Sequence, residues 1–175
     1  MRKILVILSL FIAFSSCNLK IISQEKVVVE KLDNVKINFI DYDDLELLLN
    51  KNNNKTYVIN FWATWCKPCV DELPAFEELY KNYKSKNVEV ILVSLDLKKQ
   101  VETRLIPFIQ KHKLQPKVVL MVDPDQNTWI PKVSSEWSGA IPATIIYNKN
   151  RRKFFEQSFT YNELENELTN IIKTK

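Results

Sequence analysis

The chain has 175 residues, with 25 Lys and Arg against 21 Asp and Glu, and its formal net charge is +4. This length suits one domain plus a short leader, and the apolar content is sufficient for a sizeable core. The nearly balanced charge does not indicate a nucleic-acid-binding surface, and the single Gly excludes glycine-rich phosphate loops.

The N-terminus has the pattern of a secretory signal. Arg2 and Lys3 precede an almost wholly apolar run over residues 4–14, and two serines follow it. A basic start, a short apolar segment and small residues before the cleavage point are the parts of such a signal. The apolar run is too short to span a bilayer comfortably. We therefore expect residues 1–16 to direct export.

The cysteine directly after the small residues, Cys17, resembles the lipidation site of a bacterial lipobox. By that resemblance, Cys17 becomes the lipidated first residue of the mature chain, and residues 17–32 form a tether. Phe14 stands where the lipobox usually has Leu. Two alternatives are simple cleavage that leaves a free Cys17, and an uncleaved anchor. Export suits redox chemistry at cysteine, because disulfides persist outside the cytoplasm.

Two elements are predicted between the tether and the central motif. Residues 35–40 alternate apolar and polar side chains, which is typical of a half-buried strand. Residues 41–50 carry leucines at helical spacing after an acidic start, so we predict a short helix with Asp41 or Asp43 as N-cap. An Asn- and Lys-rich stretch over residues 50–55 then forms a surface turn.

The chain is organised around residues 57–74, which read YVINFWATWCKPCVDELP. The apolar, β-branched run predicts a buried strand, and the helix-forming run after it predicts a helix to about residue 84. A strand that delivers two cysteines, two residues apart, to the start of a helix is suited to making and breaking a disulfide.

The predicted helix assigns different roles to the two cysteines. Cys66 lies at the helix N-terminus, where unpaired N–H groups and the helix dipole favour its thiolate. Cys66 is therefore the predicted nucleophile, and Cys69, one turn further in, is the predicted resolving thiol. Pro68 fits the first turn because that turn has no N–H partner to lose. Lys67 is expected to help the thiolate by Coulomb attraction.

Two other uses of a CxxC pair are a zinc site and an inert disulfide. Zinc needs further ligands, but the remaining Cys17 and the only histidine, His112, are not paired at ligand spacing. The succession of strand, CxxC pair and helix argues against an inert disulfide. We therefore expect no metal site and no cofactor beyond the redox-active disulfide between Cys66 and Cys69.

The rest of the chain alternates predicted strands and helices, with a hairpin and a helix at its end. The strands are predicted at residues 88–95, 118–122, 143–147 and 153–159, and the helices at residues 98–112 and 161–172. Pro107 is expected to kink or split the first of these helices, and Thr160 to cap the second. This order implies a mixed sheet between two helical layers.

Residues 123–138 are predicted to be a loop with one helical turn, and this polar stretch contains Trp129 and Trp137. Two tryptophans in a polar loop are consistent with a surface that docks a partner. They are equally consistent with side chains that cap the edge of the core. Both interpretations stay open at this point.

Four sequence features together form a recognisable pattern. Residues 58–66 read VINFWATWC, Glu72 and Pro74 stand three and five residues after Cys69, and residues 138–144 read SGAIPAT. This pattern resembles thioredoxin-fold proteins, and more narrowly the TlpA/ResA-type thiol–disulfide oxidoreductases of bacterial envelopes. The resemblance covers about residues 33–172 and implies a thioredoxin-like three-layer α/β/α sandwich with a mixed central sheet over residues 33–175.

The resemblance assigns further residues to the site. It implies that Pro142 is cis and that it brings the Ile141 backbone beside the nucleophile, where this backbone can pair with an extended substrate segment. Trp65, Lys67 and Pro68 would contribute to the substrate-binding rim. The alternative is an ordinary trans proline that opens a strand.

Asn60 stands at the position where cytosolic thioredoxins, which this chain resembles, carry a buried Asp. In those proteins the Asp relays a proton for the resolving cysteine. Asn cannot titrate, so the resemblance makes Glu72 the substitute. Partly buried beneath the CxxC pair, Glu72 would have a raised pKa and would accept that proton. The alternative is a solvated helix glutamate next to Asp71.

Together these features predict a membrane-anchored, periplasm-facing thiol–disulfide oxidoreductase of the bacterial cell envelope. The resemblance implies that it reduces disulfides of envelope proteins and that an upstream membrane thiol donor restores its dithiol. A peroxidase lacks support, because the chain has no P-x-x-x-[ST]-x-x-C motif. A non-catalytic binding protein or metallochaperone on the same scaffold is the second hypothesis.

Overall fold

A single mixed sheet forms the middle layer of the structure, a computed structural model that describes residues 35–173. Its strands are β1 (Asn38–Ile40), β2 (Thr56–Trp62), β3 (Val88–Ser94), β4 (Lys117–Met121), β5 (Ala143–Tyr147) and β6 (Arg152–Phe155). They are arranged in the order β1-β4-β3-β2-β5-β6. The first four strands are mutually parallel, whereas β5 runs antiparallel to β2 and β6 antiparallel to β5. The predicted mixed sheet is confirmed.

Helices cover both faces of this sheet. They are α1 (Tyr42–Leu49), α2 (Lys67–Tyr83), α3 (Ile106–His112), α4 (Gln126–Val133) and α5 (Tyr161–Lys173). On one face, buried side chains of α1 and α4 share a core with the odd-numbered residues of β2. On the other, α2 packs with α5, and Tyr83 on α2 donates a 2.9 Å hydrogen bond to Glu165 on α5. These elements belong to one unit that begins at Ile37, and the predicted three-layer sandwich is confirmed.

Strand β2 is buried along its whole length because it lies between the two helical layers. All seven of its residues are buried. Tyr57, Ile59 and Phe61 face the core shared with α1 and α4. Asn60 faces α2, where its amide meets Glu72, and the ring of Trp62 packs 5.4 Å from that of Phe108. A strand covered on both faces has no polar alternation, which explains its nearly continuous apolar sequence.

The predicted helix caps are present at α1 and α5. Asp41 is the N-cap of α1, and its carboxylate accepts a 3.0 Å hydrogen bond from the Asp44 N–H. At α5, the Thr160 hydroxyl accepts from the Glu163 N–H, while the Glu163 carboxylate accepts from the Thr160 N–H at 2.9 Å. This reciprocal pair is a capping box, which satisfies two N–H groups that the helix itself leaves unpaired.

Two predicted segments differ from the structure. The region predicted as one helix over residues 98–112 contains a 3-10 turn at Lys98–Gln100, a π-helical turn at Val101–Leu105 and then α3. The division falls before Pro107, which stands in the first turn of α3, because proline fits there and not in a helix interior. The stretch predicted as a loop with one helical turn contains the eight-residue helix α4, whose N-cap Asp125 accepts a hydrogen bond from the Thr128 N–H.

The two tryptophans of the α4 region belong to the core. Trp129 and Trp137 are both buried, and their rings meet edge to face with centroids 5.6 Å apart. The Trp137 ring also packs against Phe61, with centroids 4.7 Å apart. Each indole N–H donates to a backbone carbonyl, Trp129 to Asp123 and Trp137 to Ala140. The open choice between a docking surface and core packing is therefore decided in favour of the core.

The predictions for the N-terminus concern a part of the chain that the structure does not describe. The signal at residues 1–16, the lipid site at Cys17 and the tether at residues 17–32 all lie outside the described residues. Among residues 35–173, no helix combines the length and the apolar character that a membrane span requires.

Candidate active site

The two cysteines of the CxxC motif lie at the carboxyl end of β2 and form a disulfide. Cys66 follows that strand, and Cys69 lies in the first turn of α2. Their sulfur atoms are bonded, and their Cα atoms are 5.3 Å apart. Sites in open α/β sheets lie at the carboxyl ends of the strands, where the loops converge. The pair therefore occupies the expected edge of the sheet.

Cys66 is the N-cap residue of α2. Its Sγ accepts a hydrogen bond from the Cys69 N–H at an N···S distance of 3.3 Å. Pro68, in the first turn, has no N–H to leave unsatisfied. When the disulfide is reduced, the helix N-terminus presents N–H groups and a partial positive charge to this sulfur. Both favour a thiolate at Cys66, which is the form of cysteine that attacks disulfides.

The two sulfurs differ in accessibility. Cys66 is 6% exposed, whereas Cys69 is 0% exposed beneath it. An incoming disulfide can therefore reach Cys66 first. This difference favours Cys66 as the nucleophile and Cys69 as the resolving thiol, an order that stays a prediction.

A second loop meets the disulfide from the other side of β2. Strand β5 pairs antiparallel with β2 and places Ala143 opposite Phe61, so the loop before β5 reaches the same sheet edge as Cys66. The Ile141–Pro142 peptide bond is cis, as predicted, and the ordinary trans alternative is wrong. The Ile141 carbonyl oxygen lies 3.6 Å from Cys66 Sγ. The backbone carbonyl of Ile141 is therefore beside the Cys66 sulfur.

Glu72 lies beneath the CxxC pair, one turn along α2 from Cys69. Its side chain is buried, with the residue only 3% exposed. One carboxylate oxygen accepts from Asn60 Nδ2 and the other from the Phe159 N–H, both at 2.8 Å. Burial raises the pKa of Glu72 to about 7, although both hydrogen bonds act in the opposite direction. The alternative of a solvated helix glutamate is therefore wrong.

The amide of Asn60 joins Glu72 to β5. Besides Glu72, Nδ2 donates to Thr144 Oγ1 at 3.1 Å. Within residues 35–173, Oδ1 of this buried amide has no hydrogen-bond partner. An amide offers either a donor or an acceptor to a neighbour by rotating, so Asn60 can serve both protonation states of Glu72.

The exposed rim of the site is formed by residues of the CxxC turn. Trp65 is 55% exposed, and Lys67 and Pro68 are also exposed. Lys67 forms a 2.6 Å ion pair with Asp71, one turn along the helix. This pairing at the solvated surface weakens the help that Lys67 was expected to give the Cys66 thiolate, because the charge is partly compensated and screened by water.

Asp96 is a buried residue that sequence reasoning missed. It follows β3, the strand next to β2, and its carboxylate accepts hydrogen bonds from the Thr64 N–H at 3.0 Å and the Thr64 hydroxyl at 2.6 Å. The Ser94 hydroxyl donates to it as well, at 2.9 Å. Asp96 thus holds the turn that leads into Trp65 and Cys66. The available signal was an acidic residue at the carboxyl end of a buried strand.

His112 stands apart from these groups. Its ring stacks on Phe108 with centroids 4.1 Å apart, at the end of α3. Over the part of the chain that the structure describes, no three His, Cys, Asp or Glu side chains converge as metal ligands do. The His112 side chain is exposed at the surface.

The sandwich, the CxxC pair at a helix N-terminus and the facing cis-proline loop define a thioredoxin-like protein. Solved structures agree with this class. StoA from Bacillus subtilis is 27% identical and superimposes with a TM-score of 0.52, over 67% of this chain and 84% of StoA. A putative thioredoxin from Neisseria meningitidis is 21% identical, with a TM-score of 0.55 over 70% of this chain and 78% of that chain.

Sequence comparison matches residues 28–152 to the AhpC/TSA family, and the chain belongs to that family. Among curated relatives, it is 32% identical over 116 residues to the thiol-disulfide oxidoreductase ResA of Bacillus cereus, covering 65% of this chain and 61% of the relative. It is 31% identical over 133 residues to ResA of Oceanobacillus iheyensis, covering 75% and 65%. The chain thus spans less than two thirds of the length of these relatives.

Proposed function

We propose that this protein is a thiol–disulfide oxidoreductase that reduces disulfides of other proteins through Cys66 and Cys69. The observation that carries the proposal is the arrangement of the two sulfurs. They are already bonded to each other, one caps a helix, and only that one has accessible surface. The names of the ResA relatives support the same chemistry.

The reaction starts from the dithiol form. The Cys66 thiolate attacks one sulfur of a target disulfide, a mixed disulfide forms, and the other target sulfur leaves as a thiolate that takes a proton. Cys69 then loses its proton and attacks Cys66 Sγ. The Cys66–Cys69 disulfide forms and the second target thiol is released. The target gains two electrons and two protons, and a dithiol donor at the membrane restores the pair by the reverse exchange.

Glu72 accepts the proton of Cys69 in the second step. The two residues are three apart on α2 and therefore share a face of the helix. The cysteine is fully buried, so bulk water does not reach its proton directly. With a pKa of about 7, Glu72 is poised to accept a proton near neutral pH. Rotation of the Asn60 amide keeps the carboxyl group hydrogen-bonded before and after the transfer.

The substrate is an extended protein segment that carries a disulfide. The C=O group of Ile141 lies beside Cys66, and the Ile141 backbone pairs with the segment as a neighbouring strand would. Trp65 and Pro68 offer apolar contact, and Lys67 a polar one, around the nucleophile. Pro142 sets the direction in which the Ile141 backbone faces the site.

An insulin reduction assay tests the proposal. With dithiothreitol as donor, catalytic amounts of the full chain should accelerate the reduction of the insulin interchain disulfides, which is measured as turbidity. A control reaction contains the same chain with both cysteines alkylated. A folded protein that forms its disulfide but does not accelerate the reaction would contradict the proposal and favour the non-catalytic binding module.

We propose further that the protein is a lipoprotein of the bacterial cell envelope. In this arrangement residues 1–16 are removed, Cys17 carries the lipid, residues 17–32 form the tether, and the folded domain faces the periplasm. The sequence pattern at the N-terminus supports the proposal. The chemistry supports it too, because disulfides persist in the oxidising compartments outside the cytoplasm.

The anchoring proposal predicts that Cys17→Ser abolishes lipidation. In cells that express the full chain, the native protein should partition into the detergent phase of a Triton X-114 extract. The variant should lose the mass of the diacylglyceryl and acyl groups, because serine offers no thiol for the thioether link. Cys69→Ser is the matched control and should keep the lipid. A native chain whose mass equals that of its unmodified polypeptide would overturn the proposal.

A further inference from the structure

The cis-proline loop is held by a glutamate that the mechanism above does not use. Glu156 follows β6, and its carboxylate accepts hydrogen bonds from the Ala140 N–H at 3.0 Å and the Ser138 N–H at 3.2 Å. The Ser138 hydroxyl also donates to the same carboxylate. Three donors from two loop residues, Ser138 and Ala140, thus converge on one side chain.

The loop segment that Glu156 binds contains a residue with an unusual backbone conformation. Gly139, the single glycine of the chain, lies between the two residues that Glu156 binds and has φ of +94°, which L side chains rarely adopt. On the other side, the Trp137 indole N–H donates to the Ala140 carbonyl at 2.7 Å. Glu156 and Trp137 therefore hold the N–H groups and a carbonyl of the same short segment.

The loop segment that Glu156 and Trp137 hold leads directly into Ile141, whose backbone pairs with the substrate in the proposed function. Ala140 precedes Ile141, whose carbonyl oxygen lies 3.6 Å from Cys66 Sγ. The hydrogen bond from the Ser138 hydroxyl, aided by those from the two N–H groups, lowers the pKa of Glu156, so its carboxylate is ionised at neutral pH. Hydrogen bonds to an ionised acceptor are the stronger kind.

We propose that Glu156 is a positioning residue for the substrate, because it fixes the loop whose Ile141 backbone pairs with an extended protein segment. This inference rests on the proposed oxidoreductase function and deepens it. Glu156 touches neither sulfur among the contacts of the described residues. Its effect therefore passes through the loop, and it concerns substrates that use the loop.

Two kinds of disulfide substrate should respond differently when the loop is loosened. A protein disulfide such as that of insulin is flanked by peptide backbone, which can pair with the Ile141 backbone beside Cys66. The small aromatic disulfide 5,5′-dithiobis(2-nitrobenzoate) has no peptide backbone and reacts with the Cys66 thiolate alone. Loosening the loop should thus impair the first reaction and spare the second, whereas general destabilisation of the fold impairs both.

The test compares Glu156→Ala and Glu156→Gln with the native full chain. For Glu156→Ala we expect KM for insulin to rise on the order of tenfold with kcat nearly unchanged, because a displaced binding backbone weakens positioning. Its rate with 5,5′-dithiobis(2-nitrobenzoate) should equal the native rate. Glu156→Gln should restore most of the insulin activity, because the oxygen that accepts from Ala140 and from the Ser138 hydroxyl is retained.

Glu136→Ala is the control for charge, since it removes an exposed carboxylate from the segment before the loop and should leave both rates unchanged. Equal losses with both disulfides, or unchanged insulin kinetics in Glu156→Ala, would overturn the inference. A native chain inactive toward insulin would instead refute the oxidoreductase proposal itself. Thermal unfolding by circular dichroism establishes that each variant is folded at the assay temperature.

Discussion

Cys69→Ala should capture its protein substrates as stable mixed disulfides, and Cys66→Ala should capture none and have no turnover. Cys66 is the sulfur with accessible surface and the N-cap of α2, so it makes the first bond to a target. Without Cys69 nothing inside the protein can attack that bond, and the intermediate persists. Without Cys66 the remaining sulfur is fully buried, and the loss should amount to the entire catalysed rate.

Mass spectrometry after non-reducing purification from an envelope fraction measures the captured proteins. The double variant Cys66→Ala/Cys69→Ala is the matched control, because it keeps the surface of the domain and lacks both sulfurs. Proteins that appear only with Cys69→Ala, and that are released by dithiothreitol, are the substrates. Equal capture by the two single variants would contradict the assigned order of attack.

Glu72→Gln should slow the resolving step by about a hundredfold near pH 7, because the amide cannot accept the proton of Cys69. In the native protein the rate of this step should rise with pH through about 7, where the carboxyl group ionises. In the variant this rise should be absent. Stopped-flow decay of a preformed mixed disulfide, measured between pH 5 and pH 9, gives the rate of the step.

Glu72→Gln should slow the resolving step, but it should make the fold more stable than the native chain as the pH rises. Burial raises the pKa of Glu72 from 4.5 to about 7, so the folded protein favours the neutral carboxyl group. Its contribution to stability is complete below about pH 4.5 and is lost as the pH rises through about 7. A shift of this size corresponds to about 3 kcal/mol. Urea unfolding should therefore show the native chain losing stability relative to Glu72→Gln over this range.

Glu77→Gln is the matched control for the kinetic measurement. Glu77 lies on the same helix, and burial raises its pKa too, but its carboxylate accepts from the Gln115 N–H and is remote from the sulfurs. The resolving rate of this control should remain native. If Glu72→Gln has the native rate and the native pH profile, Glu72 has no part in the proton transfer.

Local features of the sequence were sufficient to predict much of the fold and the two sulfurs. The apolar run of β2, the CxxC spacing and the cap residue Asp41 each act over a few residues. The resulting strand, helix N-terminus and N-cap are all present. Helix α4 was underestimated because its polar composition and Pro131 concealed a two-turn helix that tertiary packing of Trp129 supports.

Two sulfurs at the start of a helix behind a buried strand could be predicted from residues 57–74 alone, because propensity, capping and spacing are local properties. The groups that surround these sulfurs come from distant parts of the chain and depend on tertiary packing. Ile141 reaches Cys66 across 75 residues through the pairing of β5 with β2. Glu72 acquires its raised pKa from burial, and Glu156 meets the cis-proline loop only because β6 ends beside it. Desolvation and contacts between distant segments exist only once the chain has packed.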